Sequence, residues 1–241
     1  MRIKNKYRRL YVQSALSIGS TLQLNAEQTH YVKNVLRCSS KDKLAVFNQQ
    51  DGEFLAGIVL EKNHLLLVVE QFLRFAPKME NLHLGICMVK NVAMSEIVDK
   101  ATQLGATSIV PIISQYTNLA EFNKSRYEKI AGEATEQSDR CDQMTIYEPV
   151  KLQDFVNMNA DLIIWADERQ QDQTVADIKL WPNNISVLIG PEGGFSPIEQ
   201  EFLQEKAYSV CLGRHILKSQ TACIALLAQI TLLRKSKWAR I

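Results

Sequence analysis

The segment that most constrains the fold is residues 187–197, VLIGPEGGFSP. Its apolar start ends a β-prone run, and the glycines that follow permit positive φ and a close approach of backbone to a ligand. Ser196 lies where a helix N-cap is expected, Pro197 suits the first helical position, and Glu199 completes a capping box. The segment therefore predicts a strand, a tight loop and a helix start, which is where open α/β sheets bind ligands.

This loop differs from the known phosphate-binding glycine loops. No Gly-Lys-Ser/Thr follows it, which excludes a Walker A loop, and it lacks the Gly-x-Gly-x-x-Gly spacing. Glu192 adds negative charge where a phosphate would sit, so a zwitterionic or cationic ligand is favoured over a nucleoside triphosphate. A glycine-rich turn without a ligand is the alternative.

A second strand, glycine loop and helix start follow at residues 210–222, VCLGRHILKSQTA. Two such loops joined by one helix are expected to lie side by side. Together, IGPEGGFS and LGxxILxxxTA resemble the SPOUT methyltransferases, and most closely the bacterial 16S rRNA uridine-N3 methyltransferase family. The resemblance implies an α/β trefoil-knot domain with a parallel sheet that binds S-adenosylmethionine, an exception to the rule against knotted chains.

The resemblance also implies the residues of the site. The cofactor-binding residues would be Leu188, Gly190, Pro191, Glu192, Gly193, Gly194, Leu212, Gly213, Ile216, Leu217 and Thr221. Uracil N3 must lose its proton before it attacks a methyl group, and a nearby cation, Arg214 or Lys218, would favour the anion. Histidine commonly serves as a general base, and His215 would accept the proton. His215, Lys218 and Gln220 replace two arginines and a glutamate of the family pattern.

The N-terminal part of the chain is basic. Residues 1–75 carry 11 Lys/Arg against 6 Asp/Glu, whereas residues 76–241 carry 17 against 20. A helical stretch from Ala26 and short β-prone runs, with turns at Asp51-Gly52 and at 62–64, predict a small β-barrel. A basic barrel indicates a nucleic-acid grip, and ordinary solvated surface charge is the alternative.

Family motifs cover this region too. RRLYV at 8–12, His30 with the VLR at 35–37, and Asp51-Gly52 resemble the PUA-like barrel of the same family, and EATEQSDR at 133–140 matches its Glu-Ala-x-Glu-Gln-Ser-x-Arg motif. A charged helix end with local ion pairs is the alternative for that motif. The domains expected are a PUA-like β-barrel RNA-binding domain at 1–75 and a SPOUT methyltransferase domain at 76–241. The expected RNA contacts are Arg8, Arg9, Arg37 and Arg140.

Strands and helices alternate after the linker at 75–80, which predicts βα units and a parallel sheet. The predicted strand 161–165 leads into Ala166-Asp167-Glu168, a third ligand loop whose carboxylates could hold ribose hydroxyls or an amino group; a solvated loop is the alternative. The last helix, 219–234, is apolar nearly all round, so we expect it to be buried and to form a two-fold dimer interface. The resemblance likewise implies a homodimer with a composite site.

The five cysteines are scattered and odd in number, without Cys-x-x-Cys spacing, which favours reduced thiols in a cytoplasm over a metal site or disulfides. No apolar run is long enough for a membrane span. The function expected is S-adenosylmethionine-dependent methylation of uridine N3 in small-subunit ribosomal RNA. The alternatives are a knotted RNA-binding protein that has lost methyl transfer, and an oxidoreductase with a nucleotide at the glycine loop.

Overall fold

The computed structural model describes residues 7–61, 64–78, 80–117, 121–158 and 161–238. Two compact units can be distinguished by their internal contacts. The first comprises Met1–Lys78 with Thr135–Gln143, and the second comprises Met79–Ala134 with Met144–Ile241. The chain thus returns to the first unit for one short segment, which the sequence pattern did not indicate.

The first unit is a small five-stranded sheet with one short helix. Its elements are β1 (Arg8–Tyr11), β2 (Thr21–Gln23), α1 (Ala26–His30), a π-helical turn (Tyr31–Val35), β3 (Lys43–Asn48), β4 (Gly52–Glu61) and β5 (His64–Arg74). The strand order is β1-β3-β4-β5-β2, in which β1 runs parallel to β3 and the other neighbours are antiparallel. Alternate side chains of these strands form the apolar core of the unit, which includes Leu44, Val46 and Leu67.

The predicted turn at Asp51-Gly52 is confirmed. Asn48 and Asp51 exchange hydrogen bonds across it, with Asp51 N donating to Asn48 Oδ1 at 2.7 Å. Gly52 has a φ of +96°, and a Cβ there would lie 2.4 Å from the Arg74 carbonyl oxygen, so only glycine fits. The turn predicted at 62–64 falls largely outside the described residues.

The second unit is a parallel α/β sheet. Its strands are β6 (Asn81–Cys87), β7 (Ser108–Ile113), β8 (Thr145–Ile146), β9 (Val150–Lys151), β10 (Leu162–Ala166), β11 (Asn184–Ile189) and β12 (Tyr208–Val210). Its helices are α2 (Asn91–Gln103), α3 (Lys124–Gln137), which continues into the first unit, α4 (Leu152–Val156), α5 (Pro197–Lys206) and α6 (Ser219–Trp238), with a 3-10 turn at Val175–Asp177. The strand order is β12-β10-β11-β6-β7-β8, with β9 also on β7.

Helices cover both faces of this sheet, which explains why its strands read as nearly continuous apolar runs. One apolar layer joins Val187 and Ile189 of β11 to α2, α3 and α6, and the other joins Leu188 to α4 and α5. The predicted capping box of α5 is confirmed: Ser196 accepts from the Glu199 backbone, and Glu199 accepts from Ser196 N at 2.9 Å.

The last helix is buried on one side only. Cys223, Leu226, Leu227 and Ile230 are fully buried, whereas Leu232 is 69% exposed. Thr221 and Ala228 are exposed as well. The second unit thus covers a single face of α6, and burial of the opposite face against a second copy stays a prediction. Among the described residues, no helix is long and apolar enough to cross a bilayer.

Candidate functional site

Three neighbouring strands of the second unit end in register. Ala166 of β10 pairs with Ile189 of β11 on one side and with Val210 of β12 on the other. The loops that leave these strand ends enclose a cavity of about 460 Å³. This volume is typical of small-molecule sites, which range from about 300 to 1,000 Å³. The two glycine loops and the acidic loop expected from the sequence thus meet at one site.

The glycine loop after β11 is held in a defined shape. Gly194 has a φ of +70°, and its N–H donates to the Pro191 carbonyl at 2.9 Å. A Cβ on Gly190 would lie 3.0 Å from the Phe195 ring, and the Gly190 carbonyl accepts from Ser219 Oγ at 3.0 Å. The glycines therefore bring backbone to this wall of the cavity, beside Pro191 and Glu192.

The loop after β12 brings the predicted catalytic residues to the cavity. Cys211 N donates to the Gln173 carbonyl at 2.7 Å, which fixes the start of the loop. Arg214, His215 and Lys218 line the cavity and are exposed at its edge. Two cations and an imidazole thus share one side of the cavity, where they can reach a substrate that approaches from solvent.

The loop after β10 contains Arg169, a residue of the site that the sequence pattern did not predict. Arg169 binds both oxygens of Asp167, with Nε to Oδ1 at 3.0 Å and Nη2 to Oδ2 at 2.9 Å, and it also donates to Gln200 of α5. Its guanidinium lies 5.5 Å from the Trp165 ring centroid. These contacts connect two walls of the cavity and engage the Asp167 carboxylate. An arginine directly after the acidic tripeptide was the only signal in the sequence.

Most of the predicted cofactor-binding residues line the cavity: Gly190, Pro191, Glu192, Gly194, Leu212, Gly213, Ile216 and Leu217. Three do not. Leu188 is fully buried between the sheet and α5, because alternate residues of β11 face opposite sides. Gly193 faces Tyr116, and Thr221 lies on a different side of α6 from Ser219 and Ala222, which do line the cavity.

Two of the four arginines predicted to contact RNA are buried in the structure. Arg9 is 5% exposed; its Nε donates to Glu53 at 2.7 Å, and its Nη groups donate to the carbonyls of Thr135, Glu136 and Arg140. Arg140 is 7% exposed and pairs with Asp142. The Arg9 guanidinium thus binds the segment Thr135–Gln143, and the Arg140 guanidinium pairs within that segment.

Arg8 and Arg37 are the predicted contacts that remain on the surface. Arg8 donates to Cys38 Sγ at 3.4 Å, and Arg37 follows the π-helical turn with a φ of 53°. This left-handed conformation is uncommon for a non-glycine residue.

The buried thiols of the second unit are unsuited to catalysis. Burial raises the pKa of Cys87 and of Cys223 to about 12, so both stay protonated at neutral pH. Within the described part of the chain, no cluster of three or more His, Cys, Asp or Glu side chains could share a metal ion.

The comparisons with known proteins agree with this architecture. The family model for the RNA methyltransferase domain matches residues 76–231, and that for the RNA methyltransferase PUA domain matches residues 24–70. Ribosomal RNA small subunit methyltransferase E of Rickettsia conorii is 35% identical over 235 residues, covering 95% of this chain and 96% of the relative.

Two solved structures are similar over nearly the whole chain. Ribosomal RNA small subunit methyltransferase E from Neisseria gonorrhoeae, bound to S-adenosylmethionine, aligns with a TM-score of 0.84 at 25% identity, covering 94% of this chain and 98% of that one. A Legionella pneumophila protein described as a methyltransferase, in complex with the cofactor SAM, gives the same TM-score and identity, covering 95% and 98%.

Fold and cavity together define an RNA methyltransferase of the α/β trefoil-knot (SPOUT) class, preceded by a PUA-like barrel. This confirms the fold and the family inferred from the sequence. The chain belongs to the ribosomal RNA small subunit methyltransferase E family.

Proposed function

We propose that this protein transfers a methyl group from S-adenosylmethionine to N3 of a uridine in small-subunit ribosomal RNA. The observation that carries the proposal is the cavity at the carboxyl ends of β10, β11 and β12, where both glycine loops of the family motif meet. The relatives named above are small-subunit rRNA methyltransferases, and the Neisseria structure contains the cofactor. The choice of uridine N3 rests on the sequence resemblance.

The residues of the cavity fit the cofactor. Leu212, Ile216 and Leu217 offer an apolar surface for an adenine ring, and the glycine loops offer backbone donors and acceptors. Glu168 and Glu192, both exposed at the cavity, would favour the cationic sulfonium and ammonium groups. Asp167, already bound to Arg169, retains lone pairs that could accept hydrogen bonds from ribose hydroxyls.

The protein contributes alignment and charge. When bound, the cofactor supplies a methyl group already activated by the sulfonium, so the loops mainly orient the reacting atoms. Arg214 or Lys218 would stabilise the negative charge that develops on the uracil oxygens as N3 loses its proton. His215, on the same loop, would accept that proton.

We propose that the first unit binds RNA through its basic surface, with Arg8 and Arg37 as phosphate contacts. We propose a homodimer whose interface includes the exposed side of α6. Thr221, Ala225, Ala228 and Leu232 recur there at helical spacing, and the two alanines would allow close approach of a second copy. The unpaired state of all five cysteines supports a reducing, cytoplasmic location.

The departures at His215, Lys218 and Gln220 favour one alternative, an RNA-binding protein that keeps the knot without methyl transfer. The deciding experiment is mass mapping of small-subunit rRNA from cells with and without the gene. Cells lacking it should lose one N3-methyluridine, which the wild-type gene restores and a K218A/R214A gene does not. An unchanged modification map, with intact rRNA binding in vitro, would instead support the alternative.

A further inference from the structure

Tyr116 lies in the short loop that follows β7, at the same edge of the sheet as the cavity. The residue is 49% exposed. A Cβ built on Gly193 would lie 3.5 Å from Tyr116 Cβ, so the side chain starts in contact distance of the glycine loop. Tyr116 is outside the cavity lining itself. The residue therefore lies beside the site rather than in it.

Four hydrogen bonds fix the loop that carries this ring. Ser114 N donates to Thr117 Oγ1 at 2.9 Å, the two hydroxyls lie 2.7 Å apart, and Thr117 N donates to the Ser114 carbonyl at 3.1 Å. Gln115 N donates to Glu199 Oε1 at 2.9 Å.

Glu199 is also the capping-box residue of α5, which begins directly after the glycine loop. One carboxylate thus connects the Tyr116 loop to the glycine loop. A loop fixed before the substrate arrives costs little conformational entropy on binding.

The local charge indicates what the ring can bind. Glu192 is exposed on the adjacent glycine loop, and the Glu199 carboxylate lies next to Gln115. These acidic groups repel a phosphate but not the neutral face of a base. Unpaired RNA bases stack on tyrosine rings, and such stacking tolerates every base because each has a π-face.

We propose that Tyr116 stacks on an unpaired base of the RNA substrate and so helps to position the target nucleotide at the cavity. The inference rests on the proposed function and adds to it a substrate-contacting residue outside the cofactor cavity and outside the basic surface of the first unit.

The test uses the full-length protein and small ribosomal subunits purified from cells that lack the gene. Initial rates give KM for the subunit and kcat for wild type, Y116A, Y116F and Y116L, and calorimetry gives the Kd for S-adenosylmethionine. The matched control is Y147A, since Tyr147 is also a partly exposed tyrosine of the second unit, at 44%, but follows the edge strand β8.

Loss of one stacked base should raise KM for Y116A by about 5- to 150-fold, with the cofactor Kd unchanged. Y116F should stay within about twofold of wild type because the ring is kept, whereas Y116L, apolar without a π-face, should resemble Y116A. Y147A should behave as wild type. The proposal is overturned if KM is unchanged in Y116A, if Y116L rescues as well as Y116F, or if the cofactor Kd weakens in parallel. The wild-type protein is assayed first, and if it transfers no methyl group, the result would reject the proposed function instead.

Discussion

Replacing Arg9 by alanine tests whether this residue serves folding rather than RNA binding. Its guanidinium donates to Glu53 and to three backbone carbonyls of the segment Thr135–Gln143, and its Cζ lies 4.0 Å from the centroid of the Phe47 ring. The alanine variant loses all of these contacts at once. Glu53 is 1% exposed and would keep one of the two arginines that bind it, Arg74.

The magnitude follows from the burial of the pair. Removing one partner of a buried ion pair costs about 3–5 kcal/mol, because the other charge is left uncompensated. Since Arg74 still neutralises Glu53, we expect a value near the lower limit, about 3 kcal/mol. Arg9→Lys should be intermediate, because an ammonium keeps the charge but cannot bind a carboxylate and several carbonyls as the planar fork does.

Native-state hydrogen exchange measures this effect where it arises. Amides of β1 and β3 should exchange about 150-fold faster in R9A, the equivalent of 3 kcal/mol, while those of β10 and β11 in the second unit should keep their protection. The matched control is R8A, an exposed neighbour whose effect on stability should stay within about 0.5 kcal/mol. Conversely, R8A should reduce the salt slope of RNA binding by about one unit. Equal, small exchange effects in R8A and R9A would refute the reasoning.

Three further predictions follow from other parts of the structure. G194V should weaken S-adenosylmethionine binding by about tenfold or more in calorimetry, because a branched residue is strained at a φ of +70°. The control G193A should bind the cofactor normally, since its new Cβ would make only an ordinary 3.5 Å contact. Equal affinities of the two variants would contradict this prediction. Burial lowers the pKa of His83, so the neutral imidazole stabilises the fold above the unfolded pKa of about 6.5, and this stabilisation is lost as the pH falls below that value. In urea unfolding, the free energy of unfolding of H83Q should therefore decline less between pH 7 and pH 5 than that of the wild type. An identical decline in both proteins would count against this prediction. Sedimentation at micromolar concentration should show a dimer for the wild type but mainly a monomer for L232R. The control V59R, which changes an exposed residue of the first unit, should remain a dimer. A dimeric L232R would show that α6 is not in the interface.

The second unit was predictable from the sequence to the level of its site. Ser196, Pro197 and Glu199 specify a helix start by local hydrogen bonding, so the loop after β11 could be located without any tertiary information. The alternation of apolar strands with helical stretches likewise gave a parallel sheet, and the in-register ends of β10, β11 and β12 then bring their loops together.

Side-chain assignments were less predictable, because they depend on which face of an element each residue occupies. Leu188 directly precedes the glycine-loop motif, yet the two-residue period of β11 directs it away from the cavity and toward α5. Arg169 was not selected, because its contacts with Asp167 and Gln200 depend on two loops that meet only in the folded sheet.

The arginines show the same division most clearly. The sequence by itself determined that the N-terminal part is basic and that Arg8 and Arg9 precede a strand-like run at 10–12, because charge and β-propensity are local properties. Only the tertiary structure decided that Arg8 faces solvent while Arg9 enters the core of the first unit, because successive side chains of a strand point to opposite faces. Arg9 is on the interior face because Glu53 and three carbonyls of the distant segment Thr135–Gln143 bind its guanidinium. These partners are far from Arg9 in the chain, so no local sequence pattern predicts them.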